Sequence, residues 1–152
     1  MSLFAIMITA TVFSQNVIDV HSHIITTEFL SALEQEGRLM EEGFPIPRYE
    51  VSEHLKWMDE AGGQPSVLTL AAPQPSSPDV VRKTNETAAR MKKEYKDRYL
   101  FCAALPLPDV TAAIEEAKYA LDVLGADGIK LATNVNGQYL GAPELDTIFS
   151  VL

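Results

Sequence analysis

Residues 17–23 read Val-Ile-Asp-Val-His-Ser-His, and this stretch decides both the fold and the chemistry predicted for the chain. Its first part is rich in β-branched residues and its end is polar. That pattern predicts a β-strand whose last residues emerge into a site. Because side chains alternate across a strand, we expect Asp19, His21 and His23 to share one face.

Downstream of this strand, short apolar segments alternate with amphipathic ones. Strands are predicted at 17–23, 66–72, 99–105 and 127–133, and helices at 26–36, 52–61, 77–95, 109–124 and from residue 143. We expect Ser52 to cap the second helix, the two prolines of 44–48 to make that loop stiff and extended, and Ile18 and Val20 to pack under helices. A strand-helix order repeated four times is typical of parallel βα units, so the predicted fold class is α/β.

Composition limits the classes of protein to consider. The chain has 152 residues and a formal charge of −9, with 12 Lys and Arg against 21 Asp and Glu, so nucleic acid and anionic membranes are not expected partners. The single cysteine, Cys102, allows neither an internal disulfide nor a cysteine-based zinc cluster. We therefore expect one folded domain over residues 16–152, in which any metal site rests on His, Asp and Glu.

Residues 1–15 are read as an apolar leader or the remnant of a secretion signal. The apolar run at 3–13 is shorter than the roughly 20 residues that a transmembrane helix requires. No Lys or Arg precedes it, which is unusual for a signal peptide. We expect a cytoplasmic protein, with export through an N-terminal signal as the alternative.

His21 and His23 are the candidate metal ligands. Two histidines at positions i and i+2 of a strand lie about 7 Å apart along the backbone, and their imidazoles can lean toward one ion. They also lie at the carboxyl end of the first strand, where α/β enzymes place their chemistry. The predicted cofactor is a divalent metal, with Zn²⁺ preferred, and Asp19 is expected to orient a ligand imidazole. The alternative is a pair of hydrogen-bonded structural histidines.

Three stretches together resemble a known family. VIDVHSH at 17–23, LKWMDEAG at 55–62 and GIKLATNVN at 128–136 are similar to the metal-dependent amidohydrolase superfamily, in the branch containing aminocarboxymuconate-semialdehyde decarboxylase. The resemblance implies a TIM (β/α)₈ barrel of which this chain holds only the first four strands, a half barrel. It implies that His21 and His23 bind the metal.

The resemblance also implies that the rest of the active site lies outside this chain. The family completes its site with a His after strand five, a catalytic His after strand six and an Asp after strand eight. We therefore assign no catalytic residue within the chain. The expected activity of the complete protein is hydrolysis of an amide or ester, or non-oxidative decarboxylation of a small carboxylate, and we expect the chain by itself to be inactive.

The alternative function is a non-catalytic, truncated α/β module that pairs with another chain. In either case the open edges and uncovered face of a half barrel predict self-association. Arg48 and Asn136 are candidate substrate-binding residues, and the alternative for Arg48 is a solvated loop arginine. Lys130 is expected to be a strand-end or surface lysine, with a metal-bridging role as its alternative, and His54 is expected on a helix surface.

Overall fold

The computed structural model of the chain describes residues 18–41, 43–71 and 77–152. The predicted leader at 1–15 and the first residue of the predicted first strand, Val17, lie outside these residues. The strands are β1 (Asp19–Ile24), β2 (Met40–Glu41), β3 (Phe44–Pro45), β4 (Ser66–Leu70), β5 (Tyr99–Ala104), β6 (Gly128–Lys130), β7 (Asn134–Val135) and β8 (Gln138–Tyr139). The α-helices are α1 (Thr27–Gln35), α2 (Val51–Glu60), α3 (Pro78–Glu94), α4 (Val110–Asp122) and α5 (Asp146–Phe149), with a 3₁₀ helix over Pro143–Leu145.

A four-stranded parallel sheet forms the centre of the fold, in the order β1-β4-β5-β6. Each crossover between neighbouring strands carries at least one helix. The predicted parallel α/β fold of four βα units is thereby confirmed, and β1 and β6 are the edge strands among the described residues.

Three local predictions differ from the structure. The segment at 44–48 contributes to a small antiparallel hairpin, β2-β3, in place of a fully extended loop. The fourth strand ends at Lys130, because the following residues turn back as the hairpin β7-β8. The predicted helix from residue 143 is the 3₁₀ helix followed by the four-residue α5.

The helix starts follow local capping chemistry in two cases. Thr26 Oγ1 accepts a hydrogen bond from the backbone N–H of Phe29 at the start of α1, and Asp109 accepts one from Ala112 at the start of α4. The prediction for α2 was wrong. Ser52 lies within the helix, and Glu50 occupies the cap position without a side-chain hydrogen bond.

The core lies between the sheet and its helices. In β4 and β5, alternate residues are buried against the helix layer while Val67, Thr69, Leu100 and Cys102 on the opposite face are half-buried. The main buried cluster combines strand and helix residues: Ile24, Met58, Leu68, Ala88, Met91, Tyr99, Phe101, Ala103 and Ala120. Ile18 and Val20 do not join it. They are 50% and 72% exposed, so the prediction that they pack under helices was wrong.

A buried polar network joins α3, α4 and the end of β5. The Asn85 side chain forms two hydrogen bonds with the backbone of Ala104, as a neighbouring strand would, and donates a third to Glu116 at 2.8 Å. Glu116 is 3% exposed and also pairs with Arg82. The network fixes the carboxyl end of β5 against both helices.

Within the described ranges, no helix has the length and apolar character that crossing a membrane requires.

Candidate metal centre

His21 and His23 lie side by side near the carboxyl end of β1. Their Nε2 atoms are 3.2 Å apart, and the ring planes stand at 88° with centroids 4.9 Å apart. The structure therefore brings together the two imidazoles that the strand spacing predicted on one face.

The separation of the two Nε2 atoms fits ligation of a single ion. Two imidazole nitrogens that each lie about 2.0–2.1 Å from a tetrahedral ion are roughly 3.3 Å apart. The observed distance is 3.2 Å, which is also that of a hydrogen bond between the two rings in the chain without an ion. Among the described residues no group of three or more His, Cys, Asp and Glu lies close enough to hold a metal, so this pair would supply only part of the coordination shell.

Thr69, on the neighbouring strand β4, favours one tautomer of His23. Its hydroxyl donates to the backbone carbonyl of Ser22 at 3.2 Å and lies 3.1 Å from His23 Nδ1. With the hydroxyl hydrogen directed at that carbonyl, Oγ1 is placed to accept from an Nδ1–H of His23. His23 Nε2 then keeps its lone pair free for a metal or for the Nε2–H of His21. Sequence reasoning missed Thr69, although it is a polar residue within an apolar strand.

Asp19 is not on the face that carries the histidines. Three steps along β1, from Asp19 to Ser22, match two steps along β4, from Ser66 to Leu68, so β1 contains a bulge. The extra residue breaks the strict alternation, and Asp19 lies beside Ser66, whose hydroxyl donates to it at 3.3 Å. The other Asp19 oxygen accepts the backbone N–H of His21 at 3.0 Å. Asp19 thus supports the His21 backbone, and its expected role in orienting a ligand imidazole stays a prediction.

His54 is half-buried and faces the sheet, so its predicted place on a helix surface was also wrong. Its Nδ1 lies 2.8 Å from the Tyr49 hydroxyl and its Nε2 3.3 Å from Ser22 Oγ. The sequence spacing indicates this orientation, because His54 lies four residues before Met58 and therefore on the same face of α2, and Met58 is the buried residue of that helix.

Burial lowers the pKa of His23 and the neighbouring His21 lowers it further, while a hydrogen bond with the Thr69 backbone opposes the shift and Lys130 adds to it. A lowered pKa keeps the imidazole neutral near pH 7, which is the form that binds a metal. Burial also lowers the pKa of Lys130, which is half-buried at the end of β6. The neutral form of His23 is therefore favoured in the folded chain.

A cavity of about 440 Å³ opens beside His23. Its lining combines His23 with Arg48 and Tyr49, and the remaining wall is apolar: Ile25, Phe44, Pro45, Ile46, Pro47 and Ala71. The segment after β3 thus places Arg48 and the Tyr49 ring in the same cavity as His23.

Asn136 occupies the turn between β7 and β8. It has a φ of 53° and is followed by Gly137 at 82°, the left-handed pair that a two-residue hairpin turn requires. This turn explains the Asn-Gly sequence without a ligand. Asn136 does not line the cavity beside His23, and its role toward a substrate stays a prediction.

The chain belongs to the amidohydrolase family, whose model matches residues 18–152. The matched range covers all of the parallel sheet and the histidine pair.

Curated relatives of the chain are decarboxylases. It is 38% identical over 136 residues to the decarboxylase yanB of Aspergillus niger, covering 82% of this chain and 37% of that protein. It is 31% identical over 145 residues to the 6-methylsalicylic acid decarboxylase acuB of Aspergillus aculeatus, covering 89% of this chain and 44% of that protein. The chain thus spans less than half the length of these relatives.

Solved structures give the same picture of the fold. An amidohydrolase II superposes with a TM-score of 0.81 at 27% identity, over 89% of this chain and 46% of that one. A dihydroxybenzoic acid decarboxylase from Polaromonas sp. JS666, with bound manganese and the inhibitor 2-nitroresorcinol, superposes with a TM-score of 0.68 at 20% identity, over 88% of this chain and 45% of that one. The match to under half of these structures agrees with a half barrel.

Proposed function

We propose that the complete protein is a metal-dependent decarboxylase of a small aromatic carboxylate, and that His21 and His23 are two of its metal ligands. The observation that carries this proposal is the 3.2 Å separation of the two Nε2 atoms beside an apolar cavity that also contains Arg48. The decarboxylase relatives favour carbon dioxide release over amide or ester hydrolysis.

The metal is a divalent ion. Paired imidazoles suit Zn²⁺, the ion that the histidine pattern favours, while the Polaromonas relative holds manganese. When bound, such an ion contributes a positive charge that orients the oxygen atoms of a substrate and stabilises negative charge on them.

The residues of this chain bind and orient the substrate. The apolar wall formed by Phe44, Ile46 and neighbouring residues matches an aromatic ring in shape and polarity. Arg48 can pair with a carboxylate through two parallel hydrogen bonds. Such a pair fixes the ring relative to His23 but is strongest before the carboxylate leaves, so it contributes to binding more than to the chemical step.

Decarboxylation also requires a proton. As the carbon–carbon bond breaks, its electron pair stays on the ring carbon, and a proton must replace the lost carbon dioxide there. With its Nδ1–H directed at Thr69 and its Nε2 assigned to the metal, His23 would have no proton to supply. We assign the proton donor to a part of the complete protein outside this chain.

The experiment uses the complete protein, stripped with a chelator and reloaded with Zn²⁺ or Mn²⁺. Carbon dioxide release is measured from hydroxybenzoates such as 6-methylsalicylate, and hydrolysis from aryl amides and esters. We expect metal-dependent release of carbon dioxide that the double variant His21→Ala/His23→Ala abolishes. Hydrolysis alone, or no metal-dependent turnover from any of these substrates, would contradict the proposal, and the second result would favour a non-catalytic module.

A further inference from the structure

Ser22 lies between the two candidate ligands and is held at two points. Its carbonyl oxygen accepts the Thr69 hydroxyl at 3.2 Å, and its own hydroxyl lies 3.3 Å from His54 Nε2. The side chain of Ser22 points away from the histidine face toward α2. The contact therefore ties the strand segment that carries both imidazoles to a helix on the opposite side of the sheet.

The His54 ring is itself fixed by its surroundings. The Tyr49 hydroxyl lies 2.8 Å from its Nδ1, so both ring nitrogens have a partner. The ring also makes an edge contact with Tyr49, with centroids 5.6 Å apart, and a tilted contact with Tyr99 at 5.3 Å. Tyr99 is 2% exposed and belongs to the main core cluster. His54 thus contacts both the buried core, through Tyr99, and the Ser22 hydroxyl, and so holds Ser22 at a fixed position relative to the core.

This side-chain tether matters because the backbone ladder does not define all of β1. The bulge between Asp19 and Ser22 leaves Val20 and His21 without register partners on β4, whereas Ser22 and His23 pair with Leu68 and Thr69. Among the residues described, β1 pairs with no second strand. Strand bulges leave a residue unpaired and redirect side chains. The position of the histidines relative to each other then depends on the contacts that hold the residues around the bulge.

We propose that His54 is a positioning residue that fixes, through Ser22, the separation of the His21 and His23 imidazoles and thereby sets the affinity for the metal. The metal part of this inference rests on the proposed function. The placement of the imidazoles does not, because it is a property of the chain without an ion.

The test compares three variants in the complete protein with a matched control. His54→Leu removes both hydrogen bonds of the imidazole and puts an apolar side chain in its place. Ser22→Ala removes only the hydroxyl that links Ser22 to His54. His54→Gln introduces an amide that can reach the Ser22 hydroxyl. The control is Asp59→Asn, which weakens a different tether of α2, the 2.7 Å contact between Arg98 and Asp59. If the Leu variant fails to fold, Ser22→Ala tests the same link.

The first readout is the affinity for Mn²⁺ and Zn²⁺ measured by calorimetry. We expect His54→Leu and Ser22→Ala each to weaken binding about tenfold, in line with other residues that support metal ligands. The double variant should bind no more weakly than either single variant, because both remove one link. His54→Gln should restore most of the affinity, and Asp59→Asn should leave it unchanged.

The second readout needs no metal. Proton NMR should show nuclear Overhauser effects between the His21 and His23 rings, and weaker ones in His54→Leu and Ser22→Ala. Folded variants with unchanged ring-to-ring effects and metal affinity would overturn the inference, as would an equal loss of affinity in Asp59→Asn. Weakened ring-to-ring effects in a protein that binds no divalent ion would support the positioning role and contradict the proposed metal centre.

Discussion

Thr69 Oγ1 lies 3.1 Å from Nδ1 of His23, across the pairing of β4 with β1. Through this contact Thr69, which belongs to an apolar strand, supports the candidate ligand His23. Because the same hydroxyl donates to the Ser22 carbonyl, it is placed to accept from the imidazole. Strand register therefore favours the tautomer of His23 with its proton on Nδ1.

Replacing Thr69 by Val should weaken metal binding by about tenfold, because the isosteric side chain removes the acceptor that holds the proton on Nδ1. Titration calorimetry with Mn²⁺ and Zn²⁺ measures the effect. Thr111→Val, at an exposed position of α4, is the matched control and should bind normally. Equal affinities in the two variants would contradict the role assigned to Thr69.

Replacing Arg48 by Met should raise the KM of the complete enzyme for an aromatic carboxylate by at least about tenfold, with a smaller effect on kcat. The reason is that Arg48 would contact the carboxylate most strongly before it leaves. Steady-state kinetics separate the two constants, and Arg38→Met removes a cation that pairs with Glu36 elsewhere on the surface as a control. A fall in kcat at unchanged KM would exclude a binding role for Arg48.

Stability should fall as the pH is lowered from about 7.5 to about 5.5. Burial lowers the pKa of His54 below its ordinary value of 6.5, with Asp19 opposing and Arg98 adding to that shift. The unfolded chain therefore binds a proton at His54 more readily than the folded chain does. The contribution of His54 to the free energy of unfolding is complete above about pH 6.5 and is lost as the pH falls below that value. Chemical denaturation across this range should show a smaller pH dependence in His54→Gln, and His23 accounts for part of what remains. An identical slope in the variant would show that His54 does not carry the effect.

Replacing Glu116 by Leu should destabilise the fold by about 2 kcal/mol, because it leaves a buried Asn85 donor with one acceptor fewer and removes the partner of Arg82. Urea denaturation gives the difference. The matched variant Glu36→Leu breaks the exposed pair with Arg38 and should change stability by less than about 0.5 kcal/mol. A loss below about 0.5 kcal/mol in Glu116→Leu as well would mean that the buried network adds no more stability than an exposed pair.

The chain expressed by itself should self-associate at micromolar concentration. The edge strands β1 and β6 are unpaired on one side among the described residues, and Val20 on β1 is 72% exposed. Sedimentation velocity should show dimers or larger species, and Val20→Lys should shift the distribution toward monomer. A monomeric chain at these concentrations would refute the prediction.

The sequence by itself determined the order of the four parallel strands and of the helices between them, because apolar periodicity acts over a few neighbouring positions. It also identified His21 and His23, since the i, i+2 spacing that places both imidazoles on one face is a property of any extended strand. The amidohydrolase resemblance rested on the same local motifs and was confirmed by the family match.

Only the tertiary structure decided which other residues support the pair. The bulge that moves Asp19 to the other face depends on the register between β1 and β4, and no pattern within VIDVHSH encodes it. The contacts of His23 with Thr69 and of Ser22 with His54 join residues 46 and 32 positions apart in the sequence. Such pairs form only when packing brings separate elements together, whereas hydrophobic periodicity reports the environment of each element alone.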